Sequence, residues 1–188
     1  MHDAGMGAIM ARPMLAFPRD SWRTITALCG TLAVGVAIWV AGHLAFSAEV
    51  HEAGVVAHLV ALAVGFGGVL TADFLMLRWL AGRSTLSAAV RGVSRLHLPI
   101  WAGVVGLIGS GCVLEPNLGA PLTMVKMALV VGLTVNGFGA SALSRRLVKH
   151  ADDTPLPARL LAWGAACGAI SQVCWWGSIG IGFWNSAH

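Results

Sequence analysis

Two histidines, His43 and His58, lie on either side of a short polar segment between two long apolar runs. If those runs are neighbouring helices, the two imidazoles lie at similar depth, as the axial ligands of a six-coordinate b-type haem must. The segment between them carries Glu49, His51 and Glu52, and with the histidines this set could bind copper or zinc. A third interpretation is that the histidines hydrogen-bond carbonyl groups or lipid headgroups at a membrane surface. All three interpretations stay open on the sequence.

Lys126 lies early in a later apolar run, a short loop away from Glu115. The loop is short enough to make the two flanking helices an antiparallel hairpin. The spacing therefore predicts an ion pair between Glu115 and Lys126, with the ammonium group reaching outward to the membrane surface. The alternative is that Lys126 binds a haem propionate, a phosphate or a quinone oxygen.

Other polar side chains also fall within apolar runs, namely Asp73, His97, Asn136 and Gln172. Ionisable groups at membrane depth are costly, so each is a candidate functional residue with a partner on another helix. Glu115 belongs to an outer layer of this polar intramembrane set. Asp73, His97 and Asn136 belong to an inner layer and predict a hydrogen-bonded cluster or the inner end of a proton path. Gln172 is expected to hydrogen-bond across helices.

The elements that position these residues are predicted to be membrane helices. The 188-residue chain is 57% hydrophobic and 11% charged, whereas a soluble domain has about 25% charged residues. Continuous apolar runs also differ from the alternating pattern of a membrane β-barrel. We expect an all-α polytopic bundle, a single membrane domain over residues 1–188. Its five transmembrane helices are predicted at about 22–47, 54–80, 98–115, 120–144 and 158–183.

Two further features of the apolar runs affect the predicted length of the third span and the predicted retention of the first. The third span is short and bracketed by Pro99 and Pro116, and the preceding segment 83–96 is expected to form a separate amphipathic helix on the inner surface. The first run exceeds the 7–15 apolar residues of a signal peptide, so we expect it to be retained as a span.

The basic residues orient the predicted bundle. Eleven of the twelve lie before the first span or around the connections that follow the second and fourth. The positive-inside rule places these regions in the cytoplasm, with the N-terminus in and the C-terminus out, in a bacterial inner membrane. Aromatic belts predict Trp175, Trp176 and Trp184 toward the outer surface. The eleven residues are Arg12, Arg19, Arg23, Arg78, Arg83, Arg91, Arg95, Arg145, Arg146, Lys149 and Arg159.

Small residues form stripes on the predicted helices. Ala102, Gly106 and Ser110 are spaced four apart on the third, and Gly65 and Gly68 notch the second. Such stripes let helix backbones approach closely. We interpret them as packing within the bundle, and a dimer seam or a flat wall for a cofactor is the alternative.

Three segments of the chain, 58–80, 99–111 and 121–137, resemble a loose group of bacterial inner-membrane proteins. The group includes copper-resistance protein D-like domains and related domains of unknown function. The shared features are a helix that begins with His and ends with an acidic residue, a glycine-rich helix, and a helix start with a Lys. The resemblance implies a helical inner-membrane fold with a role in copper handling or haem-related chemistry, although this chain lacks outward-facing methionine clusters. The matching positions are His58, Asp73, Gly111 and Lys126.

Three functions fit these observations. The first is a haem-carrying or redox-associated membrane subunit, with His43 and His58 as axial ligands and Lys126 near a propionate. The second is a permease component for a metal or small solute, with an outer entry site formed by Glu49, His51, Glu52 and His58. The third is an accessory subunit of a larger membrane complex, or a homo-oligomer, without chemistry of its own. The sequence contains no G-x-S-x-G, H-E-x-x-H or Walker A motif, so no enzyme class is indicated.

Two other features exclude further classes. The basic residues are dispersed over the inner loops, which argues against nucleic-acid binding. The four cysteines are isolated and form no C-x-x-C pair, so zinc-finger and thioredoxin-like functions lack their usual signature. Cys112 and Cys174 are predicted at similar depth, and we expect free thiols there rather than a disulfide.

Overall fold

The computed structural model describes residues 19–43, 45–149 and 156–187, and this part of the chain is all-helical. Arg12, which contributes to the predicted orientation, lies outside the described residues. Five helices follow one another without a strand in those ranges, which confirms the all-α class. They are α1 (Arg19–Ala41), α2 (Ala48–Leu80), α3 (Leu86–Val113), α4 (Pro121–Lys149) and α5 (Ala158–Ala187).

Four of these helices are long and apolar enough to cross a bilayer, as in a multi-pass membrane protein. Their apolar stretches are Thr24–Ala41, Ala48–Leu80, Leu86–Val113 and Pro121–Val148. Helix α5 is 30 residues long and contains Gln172 and four tryptophans, and it is not among these four. A membrane-spanning role for α5 therefore stays a prediction.

Helix α3 differs from its prediction in length. Thr85 caps it by accepting a hydrogen bond from the backbone N–H of Ala88 at 3.2 Å, and the helix then continues through Pro99 to Val113. The separate helix expected at 83–96 is therefore wrong, because that segment is the first half of α3. A proline removes one backbone donor, and membrane helices tolerate this loss where neighbouring groups compensate.

The helices pack as two antiparallel hairpins, α2 with α3 and α4 with α5, and α1 lies against α3 and α4. Glycines bring α2 and α3 together: a Cβ on Gly106 would lie 2.8 Å from the Cβ of Ala61, and one on Gly68 would lie 2.8 Å from Cγ1 of Ile100. Between these contacts Gly65 meets Gly103, backbone against backbone. The glycine stripes thus serve packing within the bundle, as interpreted from the sequence, although Ala102 is exposed.

The core joins the two hairpins. Its central cluster takes one or two side chains from each of α2 to α5. Large apolar side chains face outward instead, for example Leu32, which is 71% exposed, and Leu98, which is 79% exposed. Such surfaces are suited to lipid contact. The members of the central cluster are Val69, Val104, Leu133, Cys174 and Trp175.

Candidate functional site

A cavity of about 780 Å³ opens between α2, α3, α4 and α5. It lies in the half of the bundle that holds the α2–α3 and α4–α5 connections, since its lining runs from Val69 to Leu80 on α2 and from Leu133 to Leu147 on α4. Aliphatic and aromatic side chains make most of its wall. Its volume falls in the range of about 300–1,000 Å³ that is usual for small-molecule sites, which are apolar with a few convergent polar groups. The polar groups here include Asp73, His97, Asn136 and Gln172.

Three of those four are the inner-layer residues of the sequence prediction, and the structure places them on one cavity. Asp73 comes from α2, His97 from α3 and Asn136 from α4, while Gln172 comes from α5. They do not form the single hydrogen-bonded cluster that was one of the two predictions, because each bonds a different partner. Glu115, the fourth predicted member, lies at the opposite end of the bundle, after the last residue of α3.

Asp73 is held by a hydrogen bond between hairpins. Gln172 donates through Nε2 to Oδ2 of Asp73, and Oε1 of Gln172 accepts from the indole N–H of Trp176 at 2.9 Å. Gln172 therefore bonds across helices, which confirms the prediction for it. The second carboxylate oxygen of Asp73 has no hydrogen-bond partner among the described residues, and Asp73 lines the cavity.

His97 and Asn136 are each fixed by a backbone carbonyl. Nδ1 of His97 lies 3.1 Å from the oxygen of Val93, and only an N–H can bond a carbonyl, so this geometry assigns the proton to Nδ1. Nε2 is then left as an acceptor when the ring is neutral. Nδ2 of Asn136 donates to the oxygen of Cys167 at 2.9 Å, which joins α4 to α5. The amide oxygen of Asn136 has no partner among the described side chains.

Tryptophans form part of the cavity wall, and one of them corrects the sequence analysis. Trp175 was expected at the outer surface but is only 2% exposed, because its ring projects into the α2–α3 crossing, near Gly65 and beside Phe66. Trp176, the next residue, points outward and is 56% exposed. The indole N–H of Trp175 is buried without a hydrogen-bond partner in the described part of the chain. Trp79 and Trp101 also line the cavity.

The predicted cofactor residues lie at the other end of the bundle. Nδ1 of His58 lies 2.9 Å from the hydroxyl of Ser110. That hydroxyl donates to the carbonyl of Gly106 at 2.6 Å, so the imidazole is the donor to Ser110 and Nε2 of His58 is left unprotonated. Lys126 lies within electrostatic range of His58, and its ammonium group lies beside Gly182 of α5. The structure therefore brings His58 and Lys126 into one region.

His43 is engaged separately. Its ring stacks on Trp39 with centroids 4.4 Å apart, and its Nδ1 lies 2.7 Å from the oxygen of the same residue. The side chain is exposed at the end of α1. The side-chain hydrogen bond and the ring stacking of His43 are thus both with α1, whereas the side-chain hydrogen bond of His58 is with α3.

The predicted ion pair between Glu115 and Lys126 is wrong. Glu115 adopts φ 46°, a left-handed conformation just after α3, and its carboxylate accepts a hydrogen bond from the backbone N–H of Phe46 at 2.6 Å. This bond ties the α3–α4 loop to the α1–α2 loop. The carboxylate is a charged acceptor for an otherwise unpaired backbone donor, and the turn that allows this contact directs it away from Lys126.

The predicted metal residues lie in the first turns of α2. Glu49 and Glu52 are exposed and His51 is half-buried. Within the described ranges, no three His, Cys, Asp or Glu side chains come close enough together to hold a metal ion. All four cysteines are free, as expected for Cys112 and Cys174.

Sequence reasoning identified Asp73, His97 and Asn136 from their polarity but missed Trp175 and the cavity itself. A partial indication that Trp175 is buried was present in the sequence, where it follows Cys174 in a helix rich in small residues. Which of two adjacent tryptophans faces the interior depends on the rotation of α5, which sequence alone did not fix. No protein-family model, no curated protein and no solved structure matches this chain.

Proposed function

We propose that this chain is a five-span membrane protein that binds an amphiphilic small molecule in the cavity between α2, α3, α4 and α5. The observation that carries the proposal is the combination of a volume of about 780 Å³, an apolar wall and convergent polar groups. Small-molecule sites have these three properties together. One carboxylate oxygen of Asp73 and the amide oxygen of Asn136 have no hydrogen-bond partner among the described side chains, and both residues line the cavity.

The proposed orientation places this cavity in the cytoplasmic half of a bacterial inner membrane. Arg83 lies in the α2–α3 connection and Arg159 in the first turn of α5, and both are exposed. Positive residues favour the cytoplasmic side. The N-terminus then lies inside and the C-terminus outside, and α5 is the fifth span.

Ligand-dependent stabilisation tests the proposed function. A ligand that binds only the folded state raises its apparent stability, and once the ligand concentration exceeds the dissociation constant the rise grows with the logarithm of that concentration. The purified chain in lipid nanodiscs would be heated with increasing 1-octanol or octylammonium, and a thiol-reactive dye would report unfolding when the buried Cys167 and Cys174 become accessible.

A pair of matched variants ties the effect to the cavity. Gly168 lines the cavity and a Cβ there would meet nothing within 4 Å, whereas Gly180 on the same helix has equal space but does not line it. Gly168→Phe should abolish the ligand-dependent rise in unfolding temperature and Gly180→Phe should retain it. Equal ligand effects in both variants would contradict binding in this cavity.

A b-type haem bound by His58 is a second candidate, and the Ser110 bond favours it. Ligating histidines usually donate their other ring nitrogen to a neighbouring group, which orients the ring, and His58 donates to Ser110 in this way. Lys126 would be available to a propionate. His43 would need to leave its contact with Trp39 to serve as the second ligand. Such a haem would supply electron transfer, and the copper and accessory-subunit hypotheses have no comparable contact in their favour.

A further inference from the structure

The polar groups that face the cavity are unequal in their hydrogen-bonding character. The open groups of Asp73, His97 and Asn136 are a carboxylate oxygen, an imidazole nitrogen and an amide oxygen, and all three are acceptors. Thr134 and Ser141 use their hydroxyl hydrogens within α4, on the carbonyls of Val130 and Gly137. The hydroxyl groups of Ser144 and Ser171, which also line the cavity, can accept as well as donate. A ligand that carries several donor hydrogens at one end would match this set.

The charged side chain in the described lining of the cavity is acidic rather than basic. Asp73 is this acidic residue, and no Lys or Arg lines the cavity among the described residues. Arg78 follows Asp73 on α2 but is exposed, with its guanidinium over the ring of Phe74 at 5.9 Å. Arg146 of α4 lies over Trp163 at 5.1 Å. Asp73 thus has a neutral donor, Gln172, and no ion pair with a described basic residue.

The apolar wall is suited to a cation as well. Trp79, Trp101 and Trp175 line the cavity, and indole rings attract ammonium groups through their negative faces. Asp73 is half-buried, and a carboxylate partly withdrawn from water without a cationic partner is costly. A bound cation would offset that cost, whereas a neutral ligand would not.

We propose that the cavity binds an amphiphilic ammonium compound, with its charged nitrogen against Asp73 and its apolar body among the tryptophans and aliphatic side chains. This inference rests on the proposed function and specifies its ligand class. The occupant is a free small molecule rather than the amine of a whole phospholipid, since the cavity volume of about 780 Å³ is that of a drug-sized ligand site.

Octylammonium and 1-octanol test the charge preference, because they share a chain length and differ at the head. In nanodiscs of phosphatidylcholine, the wild-type chain should bind octylammonium at least about tenfold more tightly than octanol, as read from the concentration dependence of thermal stabilisation. Equal affinities would overturn the inference. This comparison needs no variant and therefore does not depend on how a substitution folds.

The Asp73→Asn variant localises the preference. Its amide oxygen can still accept from Gln172, so the expected change is a loss of about tenfold in octylammonium affinity with octanol unchanged. Glu52→Gln is the matched control, because it removes an exposed carboxylate from the same helix outside the cavity and should alter neither affinity. Octylammonium binding equal in Asp73→Asn and wild type would overturn the inference.

Two outcomes distinguish a failure of the charge preference from a failure of the proposed binding function. If octanol and octylammonium both bind the wild type equally and Gly168→Phe abolishes both, the binding function stands and the charge preference fails. If neither probe stabilises the wild type, the proposed function itself fails. Adding phosphatidylethanolamine to the nanodiscs should leave the octylammonium affinity unchanged, and a weaker affinity would show that a lipid amine occupies the site.

Discussion

A Cβ atom on Gly103 of α3 would overlap the backbone of Gly65 on α2, and it would also lie 2.8 Å from the carbonyl oxygen of Ala61. Backbone atoms cannot move aside as a flexible side chain can. The two helices therefore approach closely at this point only because both positions are glycine. Trp175 rests on the same crossing, since a Cβ on Gly65 would lie 3.1 Å from its Cη2.

The first prediction follows from that contact. Gly103→Ala should lower the free energy of unfolding by about 1–3 kcal/mol, the usual cost of overpacking a well-packed interior. Gly109→Ala on the same helix is the control, because its Cβ would meet nothing within 4 Å, and alanine is the better helix former by up to about 1 kcal/mol. Denaturant titration in detergent micelles measures both. A Gly103→Ala variant as stable as Gly109→Ala would contradict the close approach of α2 and α3.

The second prediction concerns the bond that joins α4 to α5. Asn136→Ala removes the donor to the carbonyl of Cys167 and should destabilise the protein by about 0.5–2 kcal/mol, the range measured for hydrogen bonds between membrane helices. Ser141→Ala, which removes a bond within α4 alone, should cost less in the same unfolding assay. If the two variants are equally stable, the Asn136 bond does not hold the hairpin together.

The third prediction concerns topology. Arg83 lies in the α2–α3 connection and Ala187 ends α5, and both are exposed. In intact spheroplasts, a membrane-impermeant maleimide should label the Ala187→Cys variant and spare the Arg83→Cys variant until the membrane is opened. The unsubstituted chain controls for its own cysteines. Protection of both sites would place them on one side of the membrane and rule out α5 as a span.

The fourth prediction tests the haem candidate. If His58 is an axial ligand, protein produced with haem supplied should show a Soret band that shifts on reduction with dithionite, and His58→Ala or His43→Ala should lose it. His51→Ala is a suitable control, since His51 lies earlier on α2 outside the predicted ligand pair. Full haem retention in both the His43 and His58 variants would exclude that ligand pair.

Much of the fold could be predicted from apolar runs, because a continuous run of bilayer length admits little besides a helix. The limits of α3 could not, since the capping bond of Thr85 and the continuation through Pro99 depend on local geometry. The partner of Glu115 was also beyond the sequence. Glu115 adopts a left-handed backbone conformation, and its carboxylate accepts a hydrogen bond from the backbone N–H of Phe46. The opposite charges of Glu115 and Lys126 had instead suggested an ion pair, which was wrong.

The candidate site was accessible to sequence reasoning only in part. Polarity at membrane depth identified Asp73, His97 and Asn136, but that they surround an open volume follows from how two hairpins meet. The residues that shape the volume are apolar, such as Trp101 and Leu133, and they resemble any other membrane-helix residue in the sequence. A cavity is a property of the gaps between side chains, so residue types alone do not reveal it.

The placement of Gln172 and Trp175 on α5 has a consequence for biogenesis. Helix α5 leaves the ribosome after α2 and α3, so the α2–α3 hairpin can pair through its glycines while the carboxylate of Asp73 still lacks its donor. Only when α5 docks does Trp175 cover the crossing and Gln172 reach Asp73. The cavity therefore gains its fourth wall only after α5 has been synthesised, and a chain released before α5 would hold the hairpin but not the enclosed cavity.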